Sequence, residues 1–316
     1  MTTLVTGGLG FIGSHLISSL MTQKTKICVF DNLSAGTLEN LKKWVRNPNL
    51  TIVKGDLLNP RDLAKLGSSN FDFVYHLAAN PEVRVGSTNP KIHFEQNILA
   101  THNLLEHIRK TKGTPTLVFT STSTVYGEAT RIPTPEDYGP LMPISTYGAS
   151  KLASEALISA YAHNYNFKAL IFRLANIVGS RSQHGVIYDF AQKLKKNPKE
   201  LEILGDGTQT KSYLHISDCI EAILLGLTRS SKQVEIFNIG SENQINVKDI
   251  AQIVIEEIKL KKVKLKLTGG VDGGRGWKGD VKNMLLDISK LKCLGWKPKL
   301  SSEEAIRKAS KELLRR

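Results

Sequence analysis

Two residues that could perform acid–base chemistry stand four positions apart in the segment Ser145 to Lys151. Tyr147 and Lys151 would lie one turn apart on the same face of a helix. A phenol with its ordinary pKa of about 10 is a poor base at neutral pH, but a nearby ammonium group favours the phenolate and lowers that pKa. Such pairs also occur on solvated helices, so the meaning of this one depends on the residues around it.

A run of hydroxyl side chains precedes the pair. The predicted strand 115–120 leads into Thr120, Ser121, Thr122, Ser123 and Thr124. A hydroxyl at the end of that strand can hydrogen-bond a substrate alkoxide and relay its proton to the tyrosine. The two segments together predict a general acid–base set of the kind used in hydride transfer to a nicotinamide cofactor.

A glycine-rich segment follows the first predicted strand. Gly7, Gly10 and Gly13 stand between strand 2–6 and a helix from Ser14 to Leu20. The first glycine permits a tight turn, the second lets the backbone approach a pyrophosphate, and the third allows close helix packing. The phosphate would lie at the positive end of the helix dipole. The spacing predicts a dinucleotide site, although a glycine triplet alone also fits an ordinary turn.

A carboxylate in the next strand specifies the dinucleotide. Asp31 ends the strand from Lys26 to Phe30 and can accept both hydrogen bonds of the adenosine ribose diol. Its charge would repel the 2′-phosphate of NADP, so NAD is the expected cofactor. Asp56, after strand 50–54, is placed to meet the adenine, although a turn-forming aspartate fits that position nearly as well.

The elements that must position these residues alternate between strand and helix, which predicts an α/β fold with a doubly wound parallel sheet. A ligand should bind beyond the carboxyl ends of the strands. The predicted strands are 2–6, 26–30, 50–54, 72–77, 115–120 and 168–173, and the predicted helices are 11–22, 60–67, 91–111 and 146–165.

The strict alternation breaks down after residue 175, which predicts a second, smaller mixed α/β lobe. The segment Val234 to Ile239 is expected to rejoin the main sheet as a strand. The predicted dinucleotide-binding domain is therefore discontinuous, with residues 1–175 and 212–240. Residues 176–211 and 241–316 would form the substrate lobe.

Composition narrows the classes of protein. The 316 residues, 41% of them hydrophobic, can bury a full core, and no apolar run approaches a membrane span, so we expect a soluble, cytoplasmic protein. Three separated cysteines predict neither disulfides nor a metal site and are interpreted as packing residues. The charge of +14 is dispersed rather than clustered, which favours a lysine-rich surface over a nucleic-acid site.

These residues resemble the extended short-chain dehydrogenases, which have a Rossmann-type fold, and within them the UDP-galactose (UDP-glucose) 4-epimerases. The resemblance covers nearly the whole chain. It is carried by Thr6 to His15, Asp31 to Ser34, Gly55-Asp56, His76 to Ala79, Asn97, the segment 122–127, Tyr147 to Lys151, Arg173 to Asn176, Gly205 to Gly207 and Tyr213 to His215.

The resemblance implies a role for each matched residue. Thr122, Tyr147 and Lys151 would be catalytic, and all three would also contact substrate or cofactor. The implied cofactor site contains Gly7, Gly10, Phe11, Ile12, Gly13, Asp31, Asn32, Ser34, Gly36, Asp56, Leu57, Leu77, Ala78, Ala79, Asn97, Thr120, Tyr147 and Lys151. The implied substrate site contains Thr122, Tyr147, Asn176, Gly185, Val186, Gln209, Lys211, Arg275 and Asp280.

The substrate site departs from the family pattern at one contact. Lys211 stands where many relatives carry an arginine that binds the substrate diphosphate. A lysine supplies charge without the bidentate fork, so Gln209 or Arg275 would share this contact. Asp280 is the implied partner of the uridine ribose.

The residues after Thr122 separate the related reactions. The resemblance implies that sugar 4,6-dehydratases carry an Asp-Glu pair there and that decarboxylases carry a glutamate at the second position. Here the two positions are Ser123 and Thr124, whose hydroxyls titrate too high to act as that acid and base. The resemblance also implies that the 3,5-epimerase/reductase relatives use a cysteine in this region and prefer NADP. This chain has Ser145 there, and its Asp31 favours NAD. The expected enzyme is an NAD-dependent UDP-glucose 4-epimerase.

Two alternative functions stay open. A UDP-N-acetylhexosamine or UDP-uronate 4-epimerase would differ mainly in its pocket, where Met284 is placed near the acetamido gate or in the core. A dinucleotide sensor or nucleic-acid-binding protein is suggested by the charge but has no need of the proton relay. A homodimer is expected from excess apolar surface on helices 91–111 and 146–165, including Leu104, Leu105 and Ile108.

Overall fold

A computed structural model describes residues 1–67, 70–111 and 113–314. Its strands are β1 (Thr2–Thr6), β2 (Lys26–Asp31), β3 (Leu50–Lys54), β4 (Phe73–His76), β5 (Thr116–Thr122), β6 (Lys168–Leu174), β7 (Asn176–Val178), β8 (Glu200–Ile203), β9 (Thr210–Lys211), β10 (Tyr213–His215), β11 (Val234–Ile239), β12 (Ile245–Asn246), β13 (Lys264–Leu267) and β14 (Asn283–Met284). Its helices are α1 (Phe11–Met21), α2 (Pro60–Leu63), α3 (Lys91–His93), α4 (Ala100–Lys110), α5 (Thr146–Tyr165), α6 (Val186–Lys196), α7 (Ile216–Arg229), α8 (Val247–Ile258), α9 (Ser289–Cys293) and α10 (Ser302–Leu314).

The principal sheet is parallel and has seven strands in the order β11-β6-β5-β4-β1-β2-β3. Strand β1 lies between β2 and β4, and Thr6 at its end pairs with Phe30 on one side and His76 on the other. The chain order reverses around β1, which places a ligand crevice outside the carboxyl ends of β1 and β4. The predicted fold class is confirmed, and β11 joins this sheet as expected.

The chain packs as two units. Unit 1 contains Met1–Thr122, Ala149–Arg173 and Ile223–Phe237, and unit 2 contains Ser123–Gly148, Leu174–Ala222 and Asn238–Arg316. Compared with the division expected from the sequence, the segment Ser123–Gly148 groups with the second unit and α7 is divided. The assignment of cofactor and substrate domains stays a prediction.

The core of unit 1 is formed by the apolar faces of its strands and helices. Leu104, Leu105 and Ile108 of α4 belong to this core, with exposed fractions of 1%, 0% and 4%. The interpretation of these three residues as surplus surface for a dimer is therefore wrong. They pack against strand residues such as Val74 and Leu117, because a helix that covers a parallel sheet buries a broad apolar stripe.

Unit 2 has its own core, built mainly from α6, α8, α10 and β8. Ile250, Val254 and Ile306 are fully buried in it. Its short strands form three small sheets, β10-β7, β12-β9-β14 and β13-β8. Buried Asn238 crosslinks its loops, since its amide accepts from the Tyr126 hydroxyl at 2.7 Å and donates to two backbone carbonyls, those of Thr134 and Asp287. These bonds fix the chain that comes after Ser123.

A buried polar chain in unit 1 joins the ends of β1 and β4 to the helix beside them. The His76 ring lies 2.8 Å from Thr6 Oγ1 through Nδ1 and 2.9 Å from Thr101 Oγ1 through Nε2. A π-helical turn, Phe94–Leu99, precedes α4 and presents the Asn97 carbonyl to the Thr101 hydroxyl at 2.6 Å. One wider turn thus brings helix backbone and strand ends into a single network.

The network determines the tautomer of His76. The Thr101 hydroxyl donates its proton to the Asn97 carbonyl, so it accepts from Nε2–H of the imidazole. Nδ1 is then the acceptor for Thr6, whose hydroxyl in turn accepts from the Ala78 N–H at 3.4 Å. Burial, assisted by the charge of Lys151, lowers the pKa of His76 to about 3. The imidazole is neutral in the folded protein.

The described part of the chain contains no helix long and apolar enough to cross a membrane, and the cytoplasmic location stays a prediction. Within those same residues, no group of three His, Cys, Asp or Glu residues is arranged to hold a metal ion. Cys219 is buried and Cys28 half-buried, but Cys293 is exposed, so the interpretation of all three cysteines as packing residues is wrong for Cys293.

The neutral His76 should make the fold acid-sensitive. The unfolded histidine binds a proton below its ordinary pKa of 6.5, whereas the folded one does so only near 3. The contribution of neutral His76 to the free energy of unfolding is therefore complete above pH 6.5 and is lost as the pH falls from 6.5 toward 3. We expect the extra stability of wild type over His76→Gln, measured by urea unfolding, to shrink by up to about 1.4 kcal/mol per pH unit. His163→Gln, at an exposed histidine, is the control. A difference that stays constant from pH 7 to 4.5 would contradict the neutral imidazole.

Candidate functional site

The glycines of the loop after β1 meet two different requirements, the packing of the protein and the approach of a ligand. A Cβ on Gly7, which has φ +67°, would lie 2.7 Å from the Ala78 nitrogen, and one on Gly13 would lie 2.4 Å from the Gly7 carbonyl oxygen. These two glycines are required by the packing of the protein itself. A Cβ on Gly10 would meet only the Gly7 oxygen, at 3.3 Å. Open space on that side suits close approach of a ligand to the backbone.

Helix α1 begins directly after Gly10, with Phe11 and Ile12 in its first turn. Gly10 provides no side-chain cap, and the first turn contains no acidic residue. The N–H groups at the start of a helix attract anions, and here no carboxylate competes for them. The loop therefore fits a pyrophosphate group.

Asp31, at the end of β2, is buried against this loop. Its two carboxylate oxygens accept from the backbone N–H of Leu9 at 2.9 Å and of Leu33 at 2.8 Å. These bonds fix the carboxylate beside the phosphate loop, while each oxygen keeps a second lone pair for a ribose hydroxyl. The predicted role of Asp31 requires a position beside this loop, and the role itself stays a prediction.

The neighbouring residues form a connected turn. Asn32 donates to Asp56 at 3.1 Å and accepts from the Ser34 N–H at 3.0 Å. Asp56 also accepts from the Leu58 N–H, which is the turn-forming alternative for this residue. Gly36 packs against Leu9, where a Cβ would approach to 2.7 Å. The side chain of Leu57 belongs to the core of unit 1, and its backbone carbonyl accepts from the Asn103 amide at 2.9 Å.

The chain after β4 runs beside the loop through Leu77, Ala78 and Ala79. The Asn97 side chain holds Asn80, the residue that follows Ala79. The Asn97 amide oxygen accepts from the Asn80 N–H at 2.8 Å, and the amide nitrogen donates to Ser150 Oγ at 2.9 Å. Asn97 is thus occupied in tying this segment to α5, and a role in holding a cofactor would act through Asn80. Thr120 is buried in β5.

The three predicted catalytic residues lie at the end of β5 and the start of α5. Thr122 is the last residue of β5, and α5 carries Tyr147 and Lys151 on successive turns. The ammonium group of Lys151 is buried, 4.0 Å from the centre of the Phe119 ring. Burial lowers the pKa of Lys151 to about 7, partly offset by the charge of Glu155. The lysine can therefore gain or lose its charge near neutral pH.

In unit 2, two predicted substrate residues form an ion pair. Lys211 Nζ lies 2.6 Å from Asp280 Oδ1, and the other carboxylate oxygen accepts from the Gly276 N–H at 3.1 Å. The lysine also lies over the Trp277 ring, 5.5 Å from its centre. The structure brings together the residues expected to contact diphosphate and ribose, but each partly neutralises the other.

Two further candidates occupy the same corner of unit 2. Arg275 donates to Glu128 at 2.7 Å and to the Asp272 carbonyl at 2.8 Å. Gln209 donates its amide to the carbonyls of Leu204 and Gly274, which leaves its buried Oε1 without a hydrogen bond. That orphan atom is an acceptor and cannot bind a diphosphate, so this arrangement counts against the role predicted for Gln209.

The remaining predicted substrate residues involve backbone groups. Asn176 begins β7 and donates its amide to the carbonyl of Ser212, the residue after Lys211. Gly185 has φ +91° and precedes α6, whose first residue is Val186; no atom lies within 4 Å of a Cβ built on Gly185. The roles of all these residues stay predictions.

Sequence reasoning assigned no role to three buried side chains around Lys151. His76 stacks on the Phe119 ring, with centroids 5.5 Å apart, and Glu155 and Arg173 form an ion pair of 2.7 Å. One signal was present in the sequence, because Glu155 stands four residues after Lys151 on the same helix. The contribution of Arg173 depends on a strand neighbour and left no local pattern.

Comparison with known proteins gives the family. The model of the GDP-mannose 4,6-dehydratase family matches residues 4–309. A putative UDP-glucose 4-epimerase of Methanocaldococcus jannaschii is 33% identical over 309 residues, covering 96% of each chain. UDP-glucuronic acid decarboxylase 6 of Arabidopsis thaliana is also 33% identical, covering 97% of this chain and 87% of its own.

Solved structures agree with this. A UDP-galactose 4-epimerase is 41% identical, with a TM-score of 0.87 and coverage of 100% of this chain and 99% of that chain. The UDP-glucuronic acid 4-epimerase of Bacillus cereus, solved with UDP-glucuronic acid and NAD, is 31% identical with the same TM-score and coverage. The chain therefore belongs to the extended short-chain dehydrogenase family of nucleotide-sugar epimerases and dehydratases.

Proposed function

We propose that this protein is an NAD-dependent 4-epimerase that interconverts UDP-glucose and UDP-galactose. The observation that carries the proposal is the pair of hydroxyl residues, Ser123 and Thr124, that comes directly after Thr122. Elimination of water across C5 and C6 needs an acid and a base at the keto-sugar, and these hydroxyls cannot serve as either at neutral pH. A 4-epimerase needs neither group.

The residues of the chain divide the proton chemistry between them. Tyr147 accepts the proton of the C4 hydroxyl as the sugar is oxidised and returns it after the keto-sugar has turned over. Lys151, one helical turn away, favours the phenolate when it is charged. Thr122 hydrogen-bonds the C4 oxygen. NAD, when bound, supplies the acceptor that takes hydride from C4 and returns it to the opposite face.

A neutral hexose agrees with the charges in unit 2. Lys211 and Arg275 are each paired with a carboxylate, Asp280 and Glu128 respectively. A uronate would bring an additional negative charge that these two paired cations are not free to neutralise. A neutral hexose needs no such partner, so it can stay loosely held and turn over while the nucleotide part of the substrate is bound.

The first test is the product. We expect the purified protein to convert UDP-galactose to UDP-glucose, and Tyr147→Phe to reduce turnover about 10²- to 10⁴-fold because the C4 proton loses its acceptor. Separation of the UDP-sugars by chromatography measures the conversion. Comparison of UDP-glucose, UDP-galactose, UDP-N-acetylglucosamine and UDP-glucuronic acid ranks the alternatives.

Bound NAD, measured by absorbance after denaturation, should be the same in wild type and Tyr147→Phe. Near-normal turnover by that variant would contradict the role of Tyr147. Formation of a 4-keto-6-deoxy sugar would show that the protein is a dehydratase. Release of CO₂ from UDP-glucuronic acid would show that it is a decarboxylase.

Two glycine variants test the cofactor site. In nucleotide-free protein, Gly13→Ala should lower the unfolding temperature because its Cβ would meet backbone at 2.4 Å, whereas Gly10→Ala should unfold close to wild type. Gly10→Ala should lose the stabilisation by added NAD, with affinity weakened roughly 10- to 100-fold, or about 1.4–2.8 kcal/mol. Thermal unfolding with and without NAD measures both effects. Undiminished NAD stabilisation of Gly10→Ala, or a preference for NADP, would contradict the assigned site.

We also propose a homodimer, now on different residues. Phe94 and Leu99, in the π turn before α4, are 56% and 37% exposed, although both are large and apolar. Exposed apolar residues on a neighbouring pair of positions favour an interface. Sedimentation should give twice the 34.9 kDa of one chain. Phe94→Asp with Leu99→Asp should give the monomer, and Val45→Asp, at another exposed apolar residue, should not. A wild-type monomer at micromolar concentration would refute the proposal.

A further inference from the structure

A buried group of charges lies behind Lys151 in unit 1. Glu155 is one turn further along α5, Arg173 is on β6 and Ser121 is on β5. Their exposed fractions are 4%, 3% and 3%. Charged side chains are seldom buried to this extent unless they are fully paired, so the arrangement requires a reason.

Both oxygens of the Glu155 carboxylate are engaged. Arg173 donates from Nη2 to Oε2 at 2.7 Å, and its Nε lies 3.1 Å from Oε1 and 3.2 Å from Oε2. The Ser121 hydroxyl donates a short hydrogen bond to Oε1. The guanidinium fork and the hydroxyl thus hold the carboxylate from the side of the sheet.

This arrangement prevents a pairing that the helix would otherwise favour. A lysine and a glutamate four residues apart on a helix attract one another, and burial strengthens that attraction. In the described structure, however, the Lys151 ammonium has no carboxylate within 4.0 Å and lies over the Phe119 ring. An ion pair with Glu155 would draw the ammonium toward the C-terminal end of α5, away from the turn that carries Tyr147.

We propose that Arg173 and Ser121 act as positioning residues for Lys151: by occupying the Glu155 carboxylate, they stop the lysine from pairing with it and keep the ammonium over the Phe119 ring, on the helical turn that follows Tyr147. The proposal rests on the proposed function for its catalytic meaning. Its structural content, the competition between Arg173 and Lys151 for one carboxylate, concerns unit 1 alone.

The charges that act on Lys151 come from three elements. Glu155 on α5 raises the pKa of Lys151, burial lowers it, and Arg173 on β6 offsets the carboxylate. His76 on β4 stacks on the Phe119 ring, and because its pKa is lowered to about 3 it is neutral near pH 7 and contributes no charge there. Tyr147 adds a negative charge only as the phenolate. Removal of Arg173 alone should therefore raise the pKa of Lys151, and removal of both Arg173 and Glu155 should not.

The test is an NMR titration of nucleotide-free protein labelled with ¹³C at lysine Cε, with the Lys151 signal identified by its loss in Lys151→Arg. We expect Arg173→Met to raise the pKa of Lys151 by about one unit or more, because the freed carboxylate then pairs with the lysine. Glu155→Gln combined with Arg173→Met should return it to the wild-type value or below, because the carboxylate that raises it is then absent. Ser121→Ala, which removes one hydrogen bond, should give a smaller rise.

Turnover provides a second readout. In Arg173→Met, the acidic limb of the pH–rate profile should move to higher pH, since Tyr147 loses part of its ammonium partner, and the double variant should restore it. A pair that only stabilises the fold would lower the unfolding temperature without moving either pKa.

Unchanged Lys151 titration in both Arg173→Met and Ser121→Ala would overturn the proposal. If Arg173→Met does not fold, Ser121→Ala and the charge-free double variant decide the question. The titration needs no sugar, so a protein that fails to epimerise UDP-galactose but shows the expected Lys151 shifts would refute the proposed function and leave the positioning role intact.

Discussion

The close approach of backbone at the reversal of the sheet is the constraint on which the rest of the structure depends. The turn after β1 passes so near the start of the segment after β4 that a Cβ on Gly7 would lie 2.7 Å from the Ala78 nitrogen. A Cβ on Gly13 would meet the same turn from the side of α1. Strand, helix and the neighbouring strand are therefore fixed to one another without side chains between them. The positive end of the α1 dipole is held open there, beside the carboxylate of Asp31.

This close packing buries polar groups, which the structure satisfies with hydrogen bonds to one tautomer of His76 and with ion pairs. The hydroxyls of Thr6 and Thr101 satisfy both nitrogens of His76, which stays neutral. Arg173 satisfies Glu155. Lys151 is left as a buried cation over an aromatic ring, and burial lowers its pKa toward neutrality. A group that is costly to keep charged is useful where a charge must act on a neighbouring tyrosine.

The pattern of the sequence predicted the sheet and its helices well, because each is specified by local periodicity. Strands β1 and β3 agree with prediction to the residue, and α5 does too. The π turn at Asn97 was not predictable, since one extra residue in a helical turn leaves no mark on the hydrophobic period. Leu104, Leu105 and Ile108 were misread because the width of an apolar stripe says nothing about how much sheet it must cover.

The candidate site likewise contains features that the local sequence predicts and features that it does not. The packing of Gly7 and Gly13 and the position of Asp31 beside them were predictable, since both follow from backbone geometry next to a strand end. The pairs Lys211–Asp280 and Arg275–Glu128 were not, because each joins segments at least 69 residues apart. Such pairs decide how much charge a substrate meets. Residue type and spacing identified the participants but not their partners.

This division also explains why relatives of different activity are equally similar to the chain. An epimerase and a decarboxylase are each 33% identical to it over nearly its whole length. The resemblance to the extended short-chain dehydrogenases implies that both reactions begin with dinucleotide binding and C4 oxidation, so similarity of fold does not separate them. The reactions diverge only in what happens to the keto-sugar, where one or two side chains suffice to add an acid or a base. Overall similarity therefore does not distinguish the two activities, and the proposed epimerase activity rests on the chemical nature of Ser123 and Thr124.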